Sequence, residues 1–440
     1  MKKAMFSILL AGLFLGALTG CQKKIQSDEN AQKTAHKKTE ISIWSSDRHD
    51  VSYIQDKIKD YNEQQDDITV SYEVYTDDYE QAVSLAAQDG KLPDILKFQD
   101  QIYYDYLEKG QWLDMLPYMD DHMRTYFQDV IYDGYNQIDG KLYYIPTCGT
   151  TARLFYNKDV FAKAGIADPP ATMEEMLQDA RIITEKLSGE GIYGFAQNMK
   201  SAREGLNRSL DNIIELEQGV KGGYDFARQT YDFTVYQPAL ECWKELLSDK
   251  CAFPGCESLE IDPLRVQFQR GKIGMYFSWT HSEPAVYQQQ FPMDSSQWDV
   301  APIPTSQGTQ KGKQNIVFTS AYLINAKSKN AQKAFQVYKD IFTDEDFLMG
   351  YTQSGYGISI IPQIMDNAQL EGDFKNKPYL LMQDTDQVLP LTPGEKNPEA
   401  IAQTGSDYYK TLESILYGNK DASEALMQIT KEYTNVYGRD

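Results

Sequence analysis

The chain has 440 residues, and its 43 basic and 64 acidic side chains give a formal net charge of −21. That balance disfavours nucleic acid and anionic lipid surfaces as partners. Its four histidines are scattered and its five cysteines lack metal-ligand or disulfide-framework spacing, so zinc chemistry and a disulfide scaffold have no support.

Lys2 and Lys3 precede an apolar stretch, Ala4 to Leu18, that is too short to span a bilayer, the pattern of an export signal. It ends in Leu18-Thr19-Gly20-Cys21, which resembles the bacterial lipobox. The resemblance implies cleavage after residue 20, a diacylglycerol on Cys21 and a chain held to the membrane by that lipid. Residues 21–38 hold one aliphatic side chain, Ile25, among charges and amides, and read as a flexible tether. No later apolar run approaches the roughly 18 residues a spanning helix needs.

After the tether, Ile41–Trp44 and Ile68–Val74 show strand alternation around a helical pattern over Val51–Gln64, which predicts a parallel βαβ unit. A helix over Tyr79–Gln88, a strand over Ile95–Phe98 and a helix over Gln101–Lys109 extend it into an open α/β lobe. Farther on, Thr172 and Glu175 form a capping box ahead of a helix that reaches Leu187. A second amphipathic helix covers Ala331–Phe342, with Asn330 as its cap. About 400 residues remain beyond the tether, enough for two or three cores.

Signals for catalysis are missing. No G-x-S-x-G elbow, dinucleotide glycine triplet or Walker G-K-[ST] occurs. Acidic pairs such as Asp77-Asp78 arise by chance among 64 carboxylates and do not define a glycosidase acid and base. Aromatic content does stand out, with 31 tyrosines and 5 tryptophans. A pyranose has an apolar C–H face that packs on a ring, and hydroxyls that suit Asp, Asn, Gln and Arg.

Ordered strings along the chain carry a resemblance: ISIWSS at Ile41, LPDILKF at Leu92, GQWLDM at Gly110, DGKLYYIP at Asp139 and RLFYNKDVFAKAG at Arg153. FQRGKIGMYFSW at Phe268, VAPIPTSQG at Val300, AYLINAKSKNAQKAF at Ala321 and GYGISIIP at Gly355 follow. From Thr39 to the C-terminus the sequence resembles the family 1 extracellular solute-binding proteins, the sugar-binding subunits of ABC importers that include maltose-binding protein. The resemblance implies a two-lobed α/β fold of the periplasmic-binding-protein type. Each lobe would be an open, mainly parallel sheet flanked by helices, and hinge crossings would join the two. The implied division is 39–147 with 319–358 for the N-terminal lobe, and 151–314 with 362–440 for the C-terminal lobe. It implies no enzyme activity and no cofactor. The implied partners are a carbohydrate ligand and the permease subunits, and the implied state is an extracytoplasmic, membrane-anchored monomer.

The same resemblance puts ligand positions on loops facing the cleft. Trp44, Asp47 and Arg48 follow the first strand, with a charge cluster opening the next helix as the other reading, and Tyr75 follows the second strand. Gln99 and Asp100 follow the third. Thr150, Thr151 and Arg153 lie at a crossing, and Gln197 and Asn198 follow the YGF turn. Trp279 is the expected stacking ring, His281 lies two residues on, and Tyr356 sits beside the third crossing with hinge packing as its other reading. Relatives often carry Gly-Gly where Thr319 and Ser320 stand, so the cleft is expected to differ there. Arg48, Arg153, Arg203 and Arg208 keep an anionic sugar such as a sialic acid open beside neutral saccharides. A secreted glycosidase is the alternative from another class.

Overall fold

Thr39–Ser45 forms the first strand because Ile41, Ile43 and Ser45 point alternately into a buried face. The computed structural model describes residues 38–75, 78–306, 311–418 and 420–438. The expected signal peptide, Cys21 and all of the tether but Lys38 therefore lie outside the described residues. Thr39–Ser45 pairs in parallel with Ile68–Val74 on one side and Ile95–Lys97 on the other. Helices Val51–Gln64 and Tyr79–Gln88 make the crossovers. Tyr322–Ile324 closes this first sheet antiparallel to Ile95–Lys97.

The second sheet has the order Trp298–Ala301, Ala152–Asn157, Ile273–Trp279, Tyr193–Phe195. Ala152–Asn157 runs antiparallel to both neighbours, and only Ile273–Trp279 with Tyr193–Phe195 is parallel. The expectation of a mainly parallel sheet holds for the first lobe and fails for the second. The reason is topological: in each lobe one strand, entering directly from a crossing, runs against the rest. At the edge, as Tyr322–Ile324, it makes one antiparallel pairing; inside the sheet, as Ala152–Asn157, it makes two.

Each sheet has its own core. Ile41, Ile43, Ile95, Phe335 and Tyr338 pack in the first lobe, and Leu154, Met176, Trp243 and Phe277 in the second. Helix Met173–Leu187 begins with the capping box Thr172–Glu175. Helix Ala331–Phe342 buries the expected stripe, but Asn330 at its start makes no side-chain cap; its amide donates instead to the Glu40 carbonyl at 3.3 Å. Cys148, Cys242, Cys251 and Cys256 are all free thiols.

Between the lobes, Val317–Ser320 and Ile358–Ser359 both pair antiparallel with Cys148–Thr150. Gly149 stands at the middle of this small sheet. A β-carbon there would come within 2.6 Å of Ile316 and 2.8 Å of Ile360, so the three strands close up only over a glycine. Among the described residues no helix is long and apolar enough to cross a membrane.

Candidate ligand-binding cleft

The hinge strand carries Thr150 and Thr151 to the base of the space between the lobes, where both are buried. The Thr150 hydroxyl lies 3.2 Å from that of Thr280 and accepts from the His281 backbone N–H at 3.3 Å. Thr280 N–H donates to the Thr151 carbonyl at 3.0 Å. These bonds fix the turn after strand Ile273–Trp279 and aim His281 at the first lobe. There it meets His49, with ring centroids 5.5 Å apart. His49 Nε2 is 3.0 Å from the Tyr356 carbonyl. Beside this contact Arg48 reaches across to Asp262, 3.5 Å away on the second lobe.

The first-lobe wall grows from the ends of its three parallel strands. Trp44 and Tyr75 pack ring against ring at 4.6 Å, both half-buried. Asp47 is ion-paired with Lys97, which also donates to the Thr319 carbonyl. Gln99 donates to the Ser46 hydroxyl at 3.3 Å. Asp100 opens the next helix, exposed to solvent at its own surface but surrounded by dense protein on several sides. Burial, reinforced by Glu395 of the opposite lobe, pushes its carboxyl up to about 6 against the pull of Lys221 and Arg203. Tyr104, Tyr135 and Tyr144 stand around it within electrostatic reach.

The second-lobe wall carries Trp279, half-buried at its strand end, and the segment Arg203 to Arg208. Lys221 spans the gap: its ammonium donates to the Tyr135 hydroxyl of the first lobe at 3.3 Å and pairs with Glu395 at 2.9 Å. The lobes thus touch at two places, through Arg48 with the histidines and through Lys221, whose partner Tyr135 packs on Phe318 of the hinge.

Among the enclosed polar atoms with no hydrogen-bond partner in the described residues are Gln99 Oε1, Tyr104 Oη, Tyr144 Oη, Thr151 Oγ1, Asn207 Oδ1, Arg208 Nε and His281 Nδ1. Folded chains rarely leave buried donors and acceptors unpaired, and each costs free energy. Tyr104 and Tyr144 lie close to Asp100, and Arg208 close to His281, so part of this set stands beside both walls and suits a solute rich in hydroxyls.

Most expected positions come together here: Trp44, Asp47, Arg48, Tyr75, Gln99, Asp100, Thr150, Thr151, Trp279 and His281. Three do not offer their side chains to the cleft. Arg153 is 2% exposed and donates to Gln314 Oε1 at 2.9 Å while forming an ion pair with Asp386. Its guanidinium is consumed inside the second lobe. Asn198 is 1% exposed, and its Oδ1 accepts from Gln197 at 3.0 Å. The Tyr356 ring packs 5.2 Å from Tyr53 and 5.7 Å from Tyr351, the hinge-packing reading. Tyr104, Tyr135, Tyr144, Asn207, Lys221 and Glu395 were not singled out by sequence. A signal existed for the tyrosines alone, in the doublets Tyr103-Tyr104 and Tyr143-Tyr144.

Two lobes around a three-stranded hinge, with unpaired polar groups converging from both sides, define a binding protein that holds a solute between them. Residues 57–380 match the bacterial extracellular solute-binding protein family, and the chain belongs to it. A binding protein of Brucella abortus is 24% identical over 316 residues, covering 69% of this chain and 71% of its own. Among solved structures, the GacH receptor of Streptomyces glaucescens, studied with acarbose, superposes with a TM-score of 0.73 at 18% identity. That match covers 91% of this chain and 99% of the receptor. The maltose/maltodextrin-binding domain MalE of Bdellovibrio bacteriovorus, bound to maltotriose, gives 0.69 at 16% identity, covering 90% and 99%. At these identities the likeness establishes the two-lobed fold.

Proposed function

We propose that the protein is the substrate-binding subunit of an ABC importer that captures a carbohydrate between its lobes and presents it to a permease. The unpaired polar atoms of Tyr104 and Tyr144 beside Asp100, and of Arg208 and His281 beside the hinge, carry this reading. Saccharide hydroxyls are both donors and acceptors, so one ligand can satisfy carbonyl, hydroxyl, imidazole and guanidinium groups together. Trp279 on one wall and Trp44 with Tyr75 on the other supply faces for pyranose rings. The saccharides bound by GacH and MalE agree with it. In this reading 39–147 and 319–358 form one lobe and 151–314 and 362–440 the other. Closure joins them around the ligand, and a lipid on Cys21 holds the monomer at the extracytoplasmic face of the cell membrane.

A thermal-shift screen of the full chain against mono- and oligosaccharides, amino acids and polyamines tests it, because a ligand that binds only the folded form raises the midpoint. The expected result is a shift with one saccharide class. Shifts confined to non-sugars would overturn the carbohydrate assignment and leave a solute-binding protein for another cargo.

A further inference from the structure

We propose that the solute carries an anionic group, a carboxylate on an acidic sugar, and that Arg208 receives it at the hinge side of the cleft. The proposal rests on the carbohydrate reading and follows from matching every charge around His281 with its partner.

Lys97 pairs with Asp47, and Arg48 with Asp262. Arg265 is held by Asp262 and by Glu283. Glu283 is saturated, since it also accepts from Tyr276 at 3.0 Å and from Ser278 at 2.5 Å. Asp50 is turned to the first-lobe core, where Tyr351 donates to it at 2.7 Å. Of the cations facing His281, Lys97 and Arg265 have a carboxylate within ion-pair distance; Glu204 and Glu283 act only from farther off on Arg208. Among the described residues it makes no ion pair and no hydrogen bond, although its Nε is fully enclosed. Glu204, four residues earlier, is exposed and forms no ion pair with it.

Burial, and then the positive charge of Arg265, depress the Arg208 guanidinium to about 10, so its surroundings penalise its charge instead of compensating it. Arg208 is half-buried with its Nε enclosed, so its charge is only partly compensated, and a neutral hydroxyl solvates it in part. A carboxylate meets the planar fork with two parallel hydrogen bonds. Asn207 Oδ1 and His281 Nδ1, both unpaired nearby, suit hydroxyls on the same sugar.

Calorimetric titration of the full chain with uronic-acid oligosaccharides and with their carboxyl-reduced neutral counterparts, repeated for Arg208→Gln and Arg208→Lys, decides the matter. The acidic member is expected to bind at least tenfold tighter than its neutral counterpart. Arg208→Gln should erase that preference, weakening the acidic ligand at least tenfold and the neutral one several-fold less, with an unchanged unliganded melting temperature to show that the variant is folded; Arg208→Lys should keep part of the preference. Equal binding of the two members, or equal weakening of both by Arg208→Gln, overturns the proposal and leaves the carbohydrate reading intact. A titration in which neither member binds while a non-saccharide does removes both.

Discussion

His49 of the first lobe and His281 of the second meet across the cleft with ring centroids 5.5 Å apart and planes at 74°. One imidazole comes from each lobe beside the hinge strands, so the contact joins the lobes in this structure. His281 faces His49, Lys97, Arg265 and Arg208, with Asp47 and Asp50 beyond Lys97. Burial first, and then those positive groups, hold it well below the ordinary histidine value. A base whose pKa is lowered on closure binds fewer protons closed than open. Closure is therefore unpenalised above the open-state value of roughly 6.5 and is lost progressively below it, by up to about tenfold per pH unit. Ligand affinity measured from pH 8 to pH 5 should fall below about 6.5. His281→Asn should flatten the profile, and a wild-type profile that is flat or rises would falsify the switch.

Asp100 works in the opposite sense, and the two can be separated. Its carboxyl is raised to about 6, by burial and then by Glu395, so closure takes up a proton between the ordinary value of about 3.9 and 6. Falling pH through that window favours the closed form, partly offsetting His281. Asp100→Asn removes the offset, and its affinity should decline more steeply on acidification than that of the wild type. Parallel profiles for the two proteins would show that Asp100 does not titrate with closure.

Trp279 ends its strand half-buried on the second-lobe wall. Replacing it with Ala removes a stacking face worth about 2 kcal/mol, or roughly thirtyfold in Kd. Because the ring also packs partly against the second-lobe core, the unliganded melting temperature should drop modestly while affinity falls by the larger factor. A large drop in midpoint with unchanged affinity would assign Trp279 to packing.

How far the sequence reaches is clear from contrasting residues. Tyr79–Gln88 and Ile68–Val74 are legible to the residue, because local periodicity and local burial coincide there. Thr172–Glu175 is legible for the same reason, as a capping box closes within one turn. Arg153 is misread because its partners Gln314 and Asp386 lie 161 and 233 positions away, and nothing local shows that the guanidinium is already matched. Lys221 and Glu395 are invisible as cleft residues: only the fold brings them opposite Tyr135 and Asp100. The reversed strand Ala152–Asn157 escapes because alternation gives a strand's faces and not its direction.

Arg153 and Asp386 form an ion pair with side chains 2% and 0% exposed. Removing one member leaves the other charged and buried, which costs about 3–5 kcal/mol. Arg153→Met and Asp386→Leu should each lower the denaturation midpoint strongly, while the double substitution recovers much of the loss. Solute preference in the surviving fold should be unchanged. A single variant with normal stability and abolished binding would restore Arg153 to the cleft.

Lys221 joins the lobes at a second contact, through the Tyr135 hydroxyl. Burial opposes its charge, but Glu395, Tyr135 and Glu215 outweigh burial and raise its pKa. In Lys221→Met the bond to Tyr135 is gone, and Glu395 faces Asp100 with no cation between them except Arg203. Closure should weaken through the added repulsion and the unpaired carboxylate, by about 1–3 kcal/mol. The effect should appear as faster ligand release, since the contact forms only once the lobes have met. Because Asp100 loses a stabilising cation, the loss should shrink as pH falls from 7 to 5 and Asp100 takes up its proton. Stopped-flow dissociation at the two pH values checks this; an equal loss at both would mean that Lys221 acts through packing alone.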